Sequence, residues 1–108
     1  MIELNKENFN QTISNGVILV DFYSKRCSKC KLIEPILNNL ALKFKIKFAK
    51  IDVRENREIA RKYGVISLPV LILFKNGKVL GRLKPKSCKE KLKNSSQNSS
   101  SLQDHIFL

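Results

Sequence analysis

Val17-Ile18-Leu19-Val20-Asp21-Phe22-Tyr23-Ser24-Lys25-Arg26-Cys27-Ser28-Lys29-Cys30 passes from an apolar run rich in β-branched residues to two cysteines three positions apart. The run has the mark of a central strand covered on both faces. Beyond the cysteines, Ile33, Ile36, Leu37, Leu40, Ala41 and Phe44 recur at spacings of three and four, which predicts an amphipathic helix with Pro35 inside it and a kink there. If that helix starts near Cys27, the i,i+3 thiols share a face with Cβ atoms roughly 5 to 6 Å apart, and disulfides favour Cα separations of about 4.4 to 6.8 Å. The pair can therefore close and reopen with little backbone movement. A thiol at a helix N-terminus also faces unpaired N–H groups and the positive end of the helix dipole, so its thiolate is favoured. The chemistry on offer is thiol–disulfide exchange, with Cys27 attacking and Cys30 resolving the mixed disulfide.

Working outward, Leu4 ends a short strand, and Asn5 is placed to cap a helix that buries Phe9, Thr12 and Ile13 until Asn15-Gly16 stops it. Lys45 to Val53 reads as a strand, and Asn56 as the cap of a short helix, Arg57 to Tyr63, that buries Ile59, Ala60 and Tyr63 before Gly64. Val70 to Lys75 and Lys78 to Leu83 are strands joined by Asn76-Gly77, a strong hairpin signal. Ser87 and Glu90 form a capping box for a last helix that carries only Cys88 and Leu92 on its apolar face. Alternating strands and helices give parallel pairs with right-handed crossovers, and the hairpin adds an antiparallel edge. The expected fold is α/β, with a central mixed β-sheet flanked by helices on both faces. The expected organisation is one domain over residues 1–93, with a Ser/Asn-rich flexible tail over 94–108.

A chain of 108 residues can bury a core without disulfide staples, and its three cysteines are too few for a secreted scaffold. The apolar runs are far too short to span a bilayer, and the Met1 region lacks the apolar stretch of a signal peptide, so a soluble cytoplasmic protein is expected. The 21 Lys and Arg against 9 Asp and Glu give a formal net charge of +12, which draws in acidic surfaces of any kind. No zinc finger or RNA-binding signature accompanies it, so neither a specific nucleic-acid role nor a membrane role is expected. A zinc site would need four ligands, and only Cys88 and His105 remain beside Cys27 and Cys30, so no metal is expected. Taken singly, Asp21 could be a strand-end carboxylate, Pro69 an ordinary loop proline and Lys50 a solvated charge.

Taken together, these residues fit one template. The chain resembles the thioredoxin family in Val20-Asp21-Phe22-Tyr23, Cys27-Ser28-Lys29-Cys30-Lys31, Pro35, Lys50-Ile51-Asp52-Val53, Lys62-Tyr63-Gly64-Val65, Ser67-Leu68-Pro69-Val70 and Phe74-Lys75-Asn76-Gly77, over about residues 2 to 93. The resemblance implies the thioredoxin fold and a monomeric protein-disulfide reductase without a bound cofactor. Such a protein acts on disulfide-containing substrates, is kept reduced by an NADPH-dependent flavoprotein thioredoxin reductase, and contributes to redox homeostasis. It assigns Cys27 as the exposed nucleophile and Cys30 as the shielded resolving thiol. Asp21 becomes the buried carboxylate that exchanges a proton with Cys30, and Lys50 its neighbour on the adjacent strand. Pro69 becomes a cis-proline facing the disulfide, with Leu68 offering backbone hydrogen bonds to substrate and Arg26, Ser28 and Lys29 on the substrate face.

The chain departs from the family pattern where it matters most. Ser28-Lys29 replaces Gly-Pro between the cysteines, Arg26 and Tyr23 stand at tryptophan positions, and Pro85 occupies a common glycine position. Lys25, Arg26, Lys29 and Lys31 surround the cysteines, and their charge favours thiolate, which implies a more oxidising couple. Two alternatives follow from these departures. One is a thioredoxin-like binding module whose basic surface docks an acidic partner; the other is a more oxidising disulfide oxidase or isomerase.

Overall fold

The computed structural model of the protein describes residues 1–83. The Ser87–Glu90 capping box, Cys88, Pro85, His105 and the tail lie outside the described residues.

Eight elements follow in order: β1 (Ile2–Leu4), α1 (Phe9–Ile13), β2 (Val17–Tyr23), α2 (Ser28–Lys43), β3 (Lys47–Asp52), α3 (Arg57–Lys62), β4 (Val70–Lys75) and β5 (Lys78–Leu83). They form one five-stranded sheet in the order β1-β3-β2-β4-β5. β1 and β2 pair with β3 in parallel, while β4 pairs antiparallel with β2 and β5. The apolar run from Val17 is therefore the middle strand, and the helical units lie on both sides of it. Asn76 (φ 50°) and Gly77 (φ 85°) both take the left-handed conformation that the tight hairpin needs. Among the described residues, no helix is long and apolar enough to cross a membrane.

Alternation along β2 sorts its side chains onto two faces. Ile18, Val20 and Phe22 join Phe9 and Ile13 of α1, Ala49, Ile51, Ile72 and Phe74, with Ile59 and Tyr63 of α3 packed against them. Leu19 turns to the opposite face, where Leu37 and Leu40 of α2 meet Phe48, Leu71, Leu73 and Leu83. The first face is aromatic: the rings of Phe9 and Phe74 meet edge-on at 5.9 Å, and those of Tyr63 and Phe74 at 5.3 Å. Each such pair adds about 0.5 to 1.5 kcal/mol beyond simple burial.

Several sequence expectations need correction. Asn5 caps not α1 itself but the turn before it, where its Oδ1 accepts from the backbone N–H groups of Glu7 and Asn8. Asn56 makes no side-chain cap; its buried amide donates to the Asp52 carbonyl at 2.9 Å and closes the loop after β3. Ile36 is not part of the buried stripe of α2, since it is half exposed. β3 begins at Lys47, leaving Lys45 and Ile46 in the loop before it. α3 ends as its Gly64 suggested: with φ 63° at Gly64, the Val65 N–H reaches the Ala60 carbonyl and the Gly64 N–H the Arg61 carbonyl, closing the last turn.

Candidate active site

The candidate site lies where β2 ends and α2 begins. Ser24 turns the chain: its carbonyl accepts from the Cys27 N–H at 3.0 Å and its hydroxyl from the Arg26 N–H at 3.3 Å. Cys27, in extended conformation, is the N-cap of α2, and its sulfur accepts from the Cys30 N–H at 3.1 Å. A cysteine thus takes the capping role usually held by an oxygen, and its sulfur faces the unpaired donors of the first turn. Cys27 and Cys30 are disulfide-bonded with Cα atoms 5.2 Å apart, within the range expected from their spacing. Their exposure differs. Cys27 is half-buried, whereas Cys30 is only 3% exposed.

Beneath the helix a pocket of about 450 Å³ brings Glu3, Asp21, Tyr23, Cys30, Glu34 and Lys50 together. Sheet register explains how residues so far apart in sequence meet. Lys50 of β3 stands beside Glu3 of β1 on one side and Asp21 of β2 on the other. Asp21 and Tyr23 project to the α2 face because Val20 and Phe22 take the other. Glu34 lies one helical turn beyond Cys30 and so above the same pocket.

Asp21 is 3% exposed, and its Oδ1 has no hydrogen-bond partner among the described residues. Burial pushes its carboxyl up from the ordinary 3.8 to about 7, with the Glu34 carboxylate adding to the rise and Lys50 opposing it. The Lys50 ammonium does not rest on Asp21. It lies 3.0 Å from Glu34 and 4.0 Å from Glu3, and 5.2 Å from the centre of the Tyr23 ring. The Tyr23 hydroxyl donates to Glu3 at 3.1 Å, and burial together with that carboxylate raises its pKa.

The structure therefore brings Cys27, Cys30, Asp21 and Lys50 into one locality, with Arg26, Ser28 and Lys29 exposed on its rim. The Leu68–Pro69 peptide bond is cis, and the bond lies just before β4. The register Phe22↔Val70 sets it at the same end of the sheet as the cysteines. The Lys25 ammonium, which also lines the pocket, pairs with Glu55 at 3.2 Å, both side chains being exposed. Sequence reading missed Glu34, Glu3 and Glu55. A signal existed for the first: Glu34 is the sole carboxylate between Asp21 and Asp52, four residues after Cys30.

Known proteins match the chain across most of its length. A protein-family model described as Thioredoxin matches residues 1–98. The thioredoxin of Bacillus subtilis (strain 168) is 39% identical over 99 residues, covering 87% of this chain and 95% of the relative. That of Chlamydia pneumoniae is 40% identical over 92 residues, covering 84% and 90%. Among solved structures, a mutant thioredoxin from Halobacterium salinarum NRC-1 superposes with a TM-score of 0.79 at 30% identity, covering 88% of this chain and 89% of that one. Plasmodium falciparum thioredoxin gives 0.81 at 27% identity, covering 86% and 97%.

Proposed function

The chain belongs to the thioredoxin family and is a thiol–disulfide oxidoreductase of the protein-disulfide reductase type, and on that premise we propose how its own residues divide the reaction. Reduced Cys27 attacks a substrate disulfide as thiolate; a Cys27–substrate disulfide forms, and the first substrate sulfur leaves and takes up a proton. Cys30 then gives its proton to the Asp21 carboxylate and attacks the Cys27 sulfur. The Cys27–Cys30 bond forms, the bond to substrate breaks, and the second substrate sulfur leaves as a thiolate and takes up the proton that Asp21 gives back, so that Asp21 ends as the carboxylate it began. The substrate is reduced by two electrons and the protein is oxidised by two.

The observation that carries this division is the unequal burial of the two cysteines beside a carboxyl raised to about 7. A partly exposed cysteine at the helix N-terminus can reach a protein disulfide. A shielded one is reserved for the bond that forms inside the protein, and its desolvation favours the thiol, so it needs a base beside it. Asp21 supplies that base because its proton is exchangeable near neutral pH, whereas a solvated aspartate would already be ionised. Lys50 tunes that carboxyl, and Leu68, Pro69, Arg26, Ser28 and Lys29 form the face that receives substrate. Residues 1–93 carry this chemistry. We place the protein in the cytoplasm as a monomer, re-reduced by an NADPH-dependent flavoprotein thioredoxin reductase.

Reduction of insulin disulfides by dithiothreitol, followed by precipitation of the freed chain, tests the assignment. The wild type is expected to accelerate it, Cys27→Ser to abolish the acceleration, and Cys30→Ser to accumulate a mixed disulfide with substrate. Acceleration surviving in Cys27→Ser would overturn the assignment. Zero turnover by the wild type, with tight salt-sensitive binding of an acidic protein, would favour the binding module instead. Replacing dithiothreitol by NADPH and the flavoprotein reductase tests the electron donor.

A further inference from the structure

We propose that Glu34, by gripping the Lys50 ammonium, is a positioning residue that keeps this cation off Asp21 and so keeps Asp21 able to take and return the Cys30 proton. The inference rests on the reading of Asp21 as the proton acceptor for Cys30, and adds a residue that the pairing of Asp21 with Lys50 does not by itself require.

The geometry is a competition among three carboxylates for one cation. Lys50 stands in register between Glu3 and Asp21 on flanking parallel strands, so sheet pairing alone places its backbone as near to one as to the other. α2 decides the outcome. Glu34 draws the ammonium to 3.0 Å from above, Glu3 lies at 4.0 Å, and no salt bridge joins Lys50 to Asp21 among the described residues. The Tyr23 ring, 5.2 Å from the ammonium, and the Tyr23 hydroxyl on Glu3 hold the outer side of the cluster. Asp21 is left with a buried Oδ1 that has no partner among the described residues, beside the pocket that Cys30 lines.

Among the described residues, the charged or titratable neighbours of Asp21 can be placed. Glu3 comes from β1, Tyr23 from β2 itself, Lys50 from β3, Lys25 from the loop before α2, and Cys30, Lys31 and Glu34 from α2. Its β4 register partner, Leu71, is apolar. Lys25 is already held by Glu55, and Lys31 is exposed. Among the described residues, Lys50 is thus the cation best placed to neutralise Asp21, and Glu34, at 3.0 Å against 4.0 Å for Glu3, is the nearer carboxylate that diverts it.

A full ion pair with Lys50 would fix Asp21 as a carboxylate too weak to accept a proton from a thiol, whereas removing the cation would hold Asp21 protonated and unable to accept one. Glu34 keeps it between these limits. It does so twice over, since its own charge opposes ionisation of Asp21 and its hold on Lys50 weakens the opposing attraction.

The test is the titration of the Asp21 side-chain carboxyl, followed by carbon NMR in the oxidised protein, where the disulfide removes both thiols from the titration. Glu34→Gln is expected to lower the midpoint by about one pH unit, because a repelling charge is lost and Lys50 is released toward Asp21. Lys50→Met is expected to raise it, and Glu34→Asp to bring it back toward the wild-type value. A midpoint unchanged or raised in Glu34→Gln would overturn the role of Glu34, as would a Glu34→Asp midpoint equal to that of Glu34→Gln. The pH profile for resolution of a mixed disulfide between Cys27 and a small thiol supplies the second readout. Its acid limb should move down with the midpoint in Glu34→Gln, by the same one unit or about tenfold in proton concentration. If Asp21→Asn resolves the mixed disulfide as fast as wild type at every pH, Asp21 is not the acceptor; the Asp21 midpoint of Glu34→Gln is a separate observable, so the two failures are told apart.

Discussion

The two faces of the central sheet are built from the same strands and do opposite things. On the α1–α3 face, Ile18, Val20, Phe22, Ala49, Ile51 and Phe74 meet Phe9 and Tyr63 in a continuous apolar layer. On the α2 face the apolar layer of Leu19, Phe48, Leu71 and Leu73 stops short. Toward the end where the cysteines sit it gives way to Asp21, Lys50 and Glu34. One face is closed by apolar packing; the other sets a buried carboxyl, with a cation and a second carboxylate beside it, where apolar side chains would otherwise pack. The change happens within β2 in two residues, from Leu19 to Asp21, which shows how locally stability and chemistry are traded.

The contrast is open to attack on the packed face first. Phe74 is fully buried and touches two rings, so Phe74→Ala should destabilise by about 3 to 5 kcal/mol in urea unfolding. A loss below about 1 kcal/mol would mean that this face does not carry the fold.

Asp21→Asn attacks the other face and should act in the opposite direction. The folded carboxyl titrates near 7 against 3.8 when solvated, so between pH 4 and pH 7 the native state binds a proton that the unfolded state has lost. Stability therefore falls as pH rises through that window, by up to roughly 4 kcal/mol, and the loss is complete above about pH 7. Asp21→Asn should be more stable than wild type at pH 8, equal to it near pH 4, and free of the decline between, while resolving mixed disulfides slowly. A wild-type protein that gains stability from pH 4 to pH 7 at this site would contradict the burial argument.

The smallest effect belongs to the rim. Replacing Arg26 and Lys29 by glutamine removes two exposed cations beside the helix N-terminus and should lower the reduction potential by about 30 mV, measured against glutathione. No change would mean that the backbone alone sets the thiolate.

These experiments also sort what the sequence made legible. The order of elements could be read from Val17–Tyr23, the i,i+3 and i,i+4 apolar spacing after Cys30, and Asn76-Gly77, because each is a local periodic or conformational signal. The caps were harder. Asn5 and Asn56 were recognisable as residues that bond backbone groups, but which groups they reach depends on how the neighbouring loops close, which no local pattern encodes. At the site, Cys27, Cys30 and Asp21 announced themselves by type and context. The Glu3–Lys50–Glu34 cluster did not, since it exists only once β1 pairs with β3 and α2 folds over both. Lys25 is the mirror case: counted as a cation at the site from sequence, it is drawn to Glu55 across thirty residues of chain.

Exchange at this site turns on the charge state of one sulfur. The pH dependence of Cys27 alkylation by iodoacetamide, in the reduced protein with Cys30→Ser as control, reports it directly. A midpoint well below the roughly 8.5 of free cysteine, with fast modification at pH 7, is the predicted result. A midpoint at or above that value would contradict it.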